Sequence, residues 1–226
     1  MAGAGAGAGG VLRGSLLEIG CGPGQHLLAL AGEFERAIGV DLSPEMIRVA
    51  RERGVASPVG ARVSWRVDAA EELATVDDRS VDVAVCVGAL EHVLDQGAAL
   101  RQVRRVLVPG GAFVCLTPNG EFWWYRVLAP LLGQEVRHLS TDRFLTGRQL
   151  RALVAGAGLA VVSLDHWRFV PHGDLPRGLG PVLAGGEWLS EGLGSFGFGS
   201  FGLGSFGLRI RLGWLRGGLA LAAVSP

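Results

Sequence analysis

The sequence predicts an α/β fold, a doubly wound and mostly parallel sheet with helices on both faces. Short apolar runs typical of strands alternate with helical segments along the chain, which is the pattern of such sheets. Residues 16–19 break into a glycine-rich turn and residues 37–41 end on Asp41, and strand ends of this kind are where open α/β folds bind ligands. The chain of 226 residues is long enough to bury the core of one such domain.

The glycine-rich turn follows the first strand directly and leads into a first helix, predicted over residues 25–34. Glycine in such a turn lets a ligand approach the backbone where a Cβ would collide with it. The dinucleotide fingerprint G-x-G-x-x-G fails here, because Gln25 stands where its third glycine is required. The pattern is E-x-G-x-G-x-G, and Glu18 is placed to face a cationic amino group rather than a pyrophosphate.

With this motif the chain resembles the class I S-adenosylmethionine-dependent methyltransferases, and the resemblance spans about residues 15–165. It implies S-adenosylmethionine as the cofactor. It also implies a seven-stranded sheet of order 3-2-1-4-5-7-6 whose last strand is antiparallel. The residues of the turn that the resemblance places at the cofactor are Glu18, Gly20, Cys21, Gly22 and Gly24.

Two further strand ends complete the expected cofactor site. The second strand ends at Asp41, where a carboxylate is placed to accept both ribose hydroxyls. By the resemblance, Asp41 is the ribose ligand, and Leu42 and Met46 pack near the adenosine. The third strand ends at Asp68-Ala69, which resembles the family motif whose acid contacts the adenine amino group.

The remaining elements follow in the order that the family shows. A Pro109-Gly110-Gly111 turn is expected before the fifth strand, and Thr146 is expected to cap the last helix. The further predicted elements are strands over residues 62–67, 81–87, 112–116, 159–165 and 219–224 and a helix over 146–157.

Histidine is the expected source of acid–base chemistry. The sulfonium methyl of the cofactor is already electrophilic, so a hydroxyl acceptor needs positioning and removal of its proton. His92 and His138 are the candidate bases, because imidazole titrates near neutrality. The segment around Glu91 and His92 resembles ubiquinone-pathway O-methyltransferases, in which acids and a histidine bind a divalent ion. Gly88 replaces one of those acids, and we expect no metal.

The segment after the fifth strand is expected to select the acceptor. It contains the aromatic run Phe122-Trp123-Trp124-Tyr125, whose spacing is more typical of core or lid packing than of substrate stacking. The favoured function is methyl transfer to an oxygen of a small, ring-bearing or lipophilic molecule. Two alternatives stay open. One is an S-adenosylmethionine-binding protein without methyl transfer. The other, a nicotinamide-dependent oxidoreductase, is disfavoured by Gln25 and by the absence of lysine from the sequence.

Composition and net charge limit the classes of partner and the cellular compartment that the sequence predicts. The formal net charge is zero, so a nucleic-acid substrate has no electrostatic support. The cysteines lack metal-ligand spacing and are expected to be buried and reduced in the cytoplasm: Cys21, Cys86 and Cys115. No apolar run is long enough to span a membrane, and neither a signal peptide nor stable membrane insertion is expected.

Two segments of low complexity flank or interrupt the single domain expected over residues 15–226. Residues 1–14 are rich in Ala and Gly and are expected to form a disordered tail. A Gly-Ser-Phe repeat at about 192–208 is expected to be a mobile loop, because its glycine content opposes a stable helix. A sharper hypothesis is that its phenylalanines close over an apolar acceptor or touch a membrane surface.

Overall fold

The computed structural model describes residues 14–131, 133, 142–167, 201–202, 209–210 and 218–226. Within these residues, seven strands form one sheet of order β3-β2-β1-β4-β5-β7-β6, in which β7 runs antiparallel to β5 and β6. The predicted strand order is confirmed. The strands are β1 Ser15–Ile19, β2 Arg36–Asp41, β3 Val63–Val67, β4 Val81–Val87, β5 Leu107–Pro118, β6 Ala160–Trp167 and β7 Gly218–Val224.

Helices cover both faces of this sheet, as predicted. One core cluster joins residues of α3 and α5 to the sheet, and a second joins α1 to the opposite face. β1 is buried along its whole length, as expected for a central parallel strand. The helices are α1 Gln25–Leu30, α2 Pro44–Val55, α3 Gln96–Val106, α4 Ala129–Leu131 and α5 Gly147–Gly156.

Local sequence explains where the longer helices begin. Ser43 accepts a hydrogen bond from the Met46 amide, and Pro44 occupies the first position of α2. At α5, Thr146 accepts from the Gln149 amide while the Gln149 side chain accepts from the Thr146 amide, which is a complete capping box. These caps fix α2 directly after β2 and α5 directly after the segment that begins at residue 142.

Two predicted boundaries were wrong. The first helix ends at Leu30 rather than residue 34, and a 3₁₀ turn, Ala31–Glu33, follows it. Gly32 lowers helix propensity there, and Phe34 is extended and buried against the α1 face of the sheet. The expected turn at residues 109–111 lies inside β5, because Gly110 and Gly111 exchange backbone hydrogen bonds with Ser225.

Several expectations fall partly or wholly outside the described residues. Residues 1–13 of the expected tail lie outside them, and so does most of the Gly-Ser-Phe repeat. Phe201–Gly202 pairs with Arg209–Ile210 in a short antiparallel ladder. Among the described residues, no helix combines the length and the apolar character needed to cross a bilayer.

Candidate functional site

Hydrogen bonds join the carboxyl ends of β1, β2 and β3 into one surface. The Cys21 amide donates to the Val40 carbonyl at 2.9 Å, and the Asp68 amide donates to the Asp41 carbonyl at 3.1 Å. The Gly22 amide donates to Oδ2 of Asp41 at 2.8 Å. The structure therefore brings the predicted cofactor residues of all three strands to the same edge of the sheet.

Asp41 positions the glycine-rich turn against β2. Its Oδ2 accepts from the Gly22 amide, and its Oδ1 accepts from the Ser43 amide at 2.9 Å. The residue is half-buried, and each carboxylate oxygen has two lone pairs, so both oxygens can accept further donors. The arrangement is compatible with the predicted contact to two ribose hydroxyls, which stays a prediction.

The three glycines of the turn differ in what surrounds them, although all have a positive φ. A Cβ at Gly20 would lie 2.3 Å from the Cβ of Ala89, and a Cβ at Gly24 would lie 2.4 Å from the Trp65 ring. A Cβ at Gly22 would have no protein atom within 4 Å. Packing within the protein thus requires the outer two glycines, and only Gly22 leaves its open side to a ligand.

Glu18 is the most unusual side chain at this edge. It is fully buried, its Oε1 lies 3.2 Å from Nδ1 of His26, and its Oε2 is buried with no hydrogen-bond partner. Burial raises the pKa of Glu18 to about 7; the nearby backbone amide of Leu27 opposes this shift, and the nearby Asp41 carboxylate adds to it. A buried carboxylate oxygen without a donor is costly, and a cationic ligand would satisfy it.

The remaining predicted cofactor residues have distinct surroundings. Burial raises the pKa of the Cys21 thiol well above its usual value, so this thiol stays protonated. Leu42 and Met46 expose 72% and 36% of their surface beside Asp41, so apolar surface is available next to the expected ribose position. Ala69 follows β3 and is half-buried.

Asp68 holds the chain that follows β3. Its Oδ2 accepts from the Thr75 amide at 2.7 Å and from the Thr75 hydroxyl at 2.6 Å, and its Oδ1 accepts from the Ala74 amide at 3.2 Å. These bonds fix residues 68–75, which contain no helix. The adenine contact of Asp68 stays a prediction, and any such contact is additional to these bonds.

S-adenosylmethionine, the cofactor implied by the resemblance, fits the groups that the structure brings together. Its ammonium group matches the unpartnered oxygen of buried Glu18. Its ribose hydroxyls match Asp41, and the open side of Gly22 allows close approach to the backbone. The fit therefore rests on an orphaned carboxylate oxygen and on one glycine with free space.

A second polar group follows β4, where a 3₁₀ turn, Leu90–His92, carries the predicted base. Nδ1 of His92 lies 2.8 Å from Oδ1 of Asp142, whose side chain is fully buried, whereas that of His92 is 34% exposed. A buried carboxylate on Nδ1 holds the imidazole in one orientation. The His92 amide donates to the Ala89 carbonyl at 3.0 Å, and Ala89 packs against Gly20, so the backbone of the Leu90–His92 turn lies beside the glycine-rich turn.

Buried polar contacts support the His92–Asp142 pair. Glu91 is buried and accepts from the Thr117 hydroxyl at 3.0 Å, and burial raises the pKa of Glu91. The Glu91 carbonyl accepts from the Arg143 amide, and the Gln96 side chain donates to the carbonyls of Leu90 and Arg143. These bonds tie the segment that begins at Asp142 to the turn after β4.

Aromatic rings line the same region. Phe122 is buried and makes edge contacts with Trp123 and Tyr125, at centroid distances of 6.0 and 5.2 Å. Tyr125 also packs on Phe144 at 5.0 Å, two residues after Asp142. Phe122, Trp123 and Tyr125 thus pack as a cluster beside the segment that begins at Asp142, which agrees with the packing role that their spacing indicated.

Two residues of this region were missed by the sequence analysis. His26 follows Glu18 by eight residues, and the strand–turn–helix pattern could have shown that the first turn of α1 returns to the end of β1. Asp142 is separated from His92 by fifty residues, and no local signal links them.

The other candidate base, His138, lies outside the described residues. Among those that are described, no cluster of three acidic, histidine or cysteine side chains is arranged to hold a metal ion.

Comparison with known proteins identifies the family. A family model described as a methyltransferase domain matches residues 17–115. A ubiquinone biosynthesis O-methyltransferase from Xanthomonas oryzae pv. oryzae is 38% identical over 104 residues, which cover 46% of this chain and 43% of the relative. The enzyme of the same name from Xylella fastidiosa is 30% identical over 161 residues, covering 69% of this chain and 65% of the relative. The chain therefore spans less than two thirds of the length of either relative.

Solved structures agree on the fold. An S-adenosylmethionine-dependent methyltransferase from Mesorhizobium loti matches with a TM-score of 0.62 at 18% identity, covering 95% of this chain and 92% of that one. A geranyl diphosphate C-methyltransferase from Streptomyces coelicolor, solved with S-adenosylhomocysteine, matches with a TM-score of 0.62 at 16% identity, covering 95% and 76%. With this fold, this family match and these relatives, the chain carries a class I S-adenosylmethionine-dependent methyltransferase domain.

Proposed function

We propose that this protein transfers the methyl group of S-adenosylmethionine to a hydroxyl oxygen of a small, ring-bearing or lipophilic acceptor. The observation that carries the proposal is the His92–Asp142 pair, a half-exposed imidazole on a buried carboxylate beside the glycine-rich turn. Relatives named ubiquinone biosynthesis O-methyltransferase support oxygen as the acceptor atom.

The cofactor would be held along the carboxyl edge of β1, β2 and β3. Glu18 would pair with the ammonium group, Asp41 would accept the ribose hydroxyls, and Gly22 would allow the backbone approach. Asp68 and Ala69 are proposed for the adenine edge, and Leu42 and Met46 for its apolar surface. When bound, S-adenosylmethionine supplies an electrophilic methyl group on its sulfonium. The protein then has two tasks, which are to position the acceptor and to remove its proton.

Positioning is the larger of these tasks. Holding the two reactants in line accounts for roughly 7 to 11 kcal/mol of barrier lowering in such reactions. His92 would take the proton of the acceptor hydroxyl, and Asp142 would stabilise the imidazolium that forms. A general base of this kind contributes about 10²- to 10⁴-fold in rate.

The surroundings of the pair support an apolar acceptor. The rings of Phe122, Tyr125 and Phe144 pack beside the segment that carries Asp142. We place the protein in the cytoplasm, because its three cysteines are free and buried, as is typical of a reducing compartment. A net charge of zero gives no support for a nucleic-acid acceptor.

The proposal is tested by transfer of a labelled methyl group from S-adenosylmethionine to a panel of phenols, quinols and fatty acids. His92→Gln and Asp142→Asn should each lower kcat about 10²- to 10⁴-fold while the affinity for S-adenosylhomocysteine stays within about twofold. Asp82→Asn is the matched control, since its carboxylate accepts two bonds from Ser15 at the opposite edge of the sheet. The control should retain the wild-type kcat.

Three outcomes would contradict the proposal. Cofactor binding without any labelled product would favour a binding protein without methyl transfer. Preferential binding of NADH would favour an oxidoreductase. Full activity of both variants would remove the His92–Asp142 pair from the reaction.

A further inference from the structure

We propose that His26 is a positioning residue of the cofactor site: it holds Oε1 of Glu18, leaves Oε2 for the cofactor's ammonium group, and lowers the pH above which that contact forms. This inference rests on the proposed function, because it assumes that S-adenosylmethionine binds at the carboxyl edge of β1–β3. It concerns a residue that neither the sequence motif nor the family match singles out.

The geometry separates the two oxygens of Glu18. Nδ1 of His26 lies 3.2 Å from Oε1, whereas Oε2 is buried without a partner. With Glu18 ionised, the Nδ1–H of His26 donates to Oε1. The His26 side chain is 56% exposed on the first turn of α1, and the Glu18 side chain is 1% exposed. An exposed side chain thus fixes the orientation of a buried one.

The electrostatics make the state of Glu18 depend on pH near neutrality. Burial raises the pKa of this carboxyl to about 7. The charged or titratable groups that face it are His26 on α1, Asp41 at the end of β2 and Cys21 in the turn. Asp41 disfavours the ionised form, and Cys21 stays protonated. The backbone amide of Leu27 favours the ionised form, and so does a hydrogen bond donated by Nδ1 of His26.

The pH dependence follows from this balance. An ammonium group binds to the carboxylate and not to the carboxylic acid, so binding below pH 7 must release the Glu18 proton. At pH 6 we expect the release of about 0.9 proton and about tenfold weaker binding than at pH 8, where about 0.1 proton is released. A ligand without an ammonium group should show neither effect.

The test compares S-adenosylhomocysteine with 5′-methylthioadenosine, which keeps the adenosine but lacks the amino-acid moiety. Titration calorimetry in buffers of different ionisation enthalpy gives the affinity and the number of protons released, independently of catalysis. In the wild type, the affinity for S-adenosylhomocysteine should fall about tenfold between pH 8 and pH 6. That for methylthioadenosine should stay constant.

Variants at His26 separate its role from general damage to the fold. His26→Ala should move the midpoint of the pH profile up by about half to one unit and so weaken S-adenosylhomocysteine about two- to sixfold at pH 7. Binding of methylthioadenosine should stay at the wild-type level. His26→Asn places an amide nitrogen where Nδ1 stands, so it should restore the affinity at pH 7 to within about twofold of the wild type. Leu30→Ala, one turn further along α1, is the control and should change nothing.

The possible failures are distinguishable. If both ligands bind and His26→Ala changes neither affinity nor pH profile, His26 has no role at the site and the inference is overturned while the cofactor site stands. If His26→Ala weakens both ligands equally, its effect is structural and the inference is also overturned. If neither ligand binds to the wild type, the proposed function fails and takes the inference with it.

Discussion

Replacement of Gly22 by alanine should separate two reasons for glycine in a turn, which are tolerance of a positive φ and close approach of a ligand to the backbone. Gly22 has φ +50°, and a Cβ there would meet no protein atom within 4 Å. Gly110 shares both properties, with φ +79° and open space, but lies in the first part of β5 at the opposite edge of the sheet. The two positions therefore form a matched pair.

The magnitudes follow from the backbone and from the open space. A residue with a Cβ at positive φ costs about 1 kcal/mol, so each variant should lose about 2 to 4 °C in Tm. At Gly22 the added methyl would also enter the open space that the proposed cofactor site leaves for the ligand. Overpacking of this kind costs about 1 to 3 kcal/mol, which corresponds to about 5- to 150-fold weaker binding.

The assay is calorimetric titration of S-adenosylhomocysteine into both variants, with thermal unfolding measured in parallel. Gly22→Ala should bind weakly, and Gly110→Ala should bind like the wild type despite a similar loss of Tm. Equal affinity of the two variants would refute the assignment of Gly22 as the point of closest approach.

Two further predictions concern stability. Folding raises the pKa of Glu18 from 4.5 to about 7, so its stabilising contribution is fully present below pH 4.5 and is lost as the pH rises through 7. This pKa change makes the free energy of unfolding about 3 kcal/mol smaller at pH 8.5 than at pH 4.5, and Glu18→Gln should remove that contribution. Denaturant unfolding at both pH values measures this, and an unchanged difference would show that Glu18 is not the group responsible. A Cβ at Gly39 would lie 2.6 Å from the Trp65 ring, so Gly39→Ala should cost about 1 to 3 kcal/mol. This cost should fall by at least about 1 kcal/mol in a Trp65→Leu background, and an identical cost in a double-mutant cycle would contradict the packing explanation.

The sheet could be predicted from the sequence because its signals are local. Residues 81–87 are apolar except for Asp82, and Ser43-Pro44 and Thr146 cap their helices as their side-chain chemistry requires. The position of the antiparallel last strand came from the family resemblance and not from any pattern in Gly218–Val224 itself.

The errors occurred where distant residues decide the local structure. Pro109 to Gly111 has the composition of a turn, but Gly110 and Gly111 extend β5 because Ser225 pairs with them from the far end of the chain. The first helix ends early because Phe34 is buried as extended chain. Neither contact can be predicted from the helix or turn propensity of the local sequence.

In the candidate site, too, local positions could be predicted from the sequence, whereas contacts between distant residues could not. Glu18 and Asp41 stand at strand ends, and their positions alone made them candidates. The open space that distinguishes Gly22 from Gly20 and Gly24 was not visible, since Ala89 and Trp65, which fill the space at the other two glycines, lie elsewhere in the chain. The His92–Asp142 contact was likewise invisible, because it depends on how the segment after β5 returns to the end of β4.

The central claim is that the carboxyl edge of β1, β2 and β3 binds S-adenosylmethionine, and mapping of backbone amide shifts by NMR tests it most directly. Saturation with S-adenosylhomocysteine should shift the amides of Gly20, Gly22, Asp41 and Asp68 and leave Gly110 at the opposite edge unchanged, while NADH should shift none of them. Shifts centred on the opposite edge, or the same shifts produced by NADH, would contradict the account.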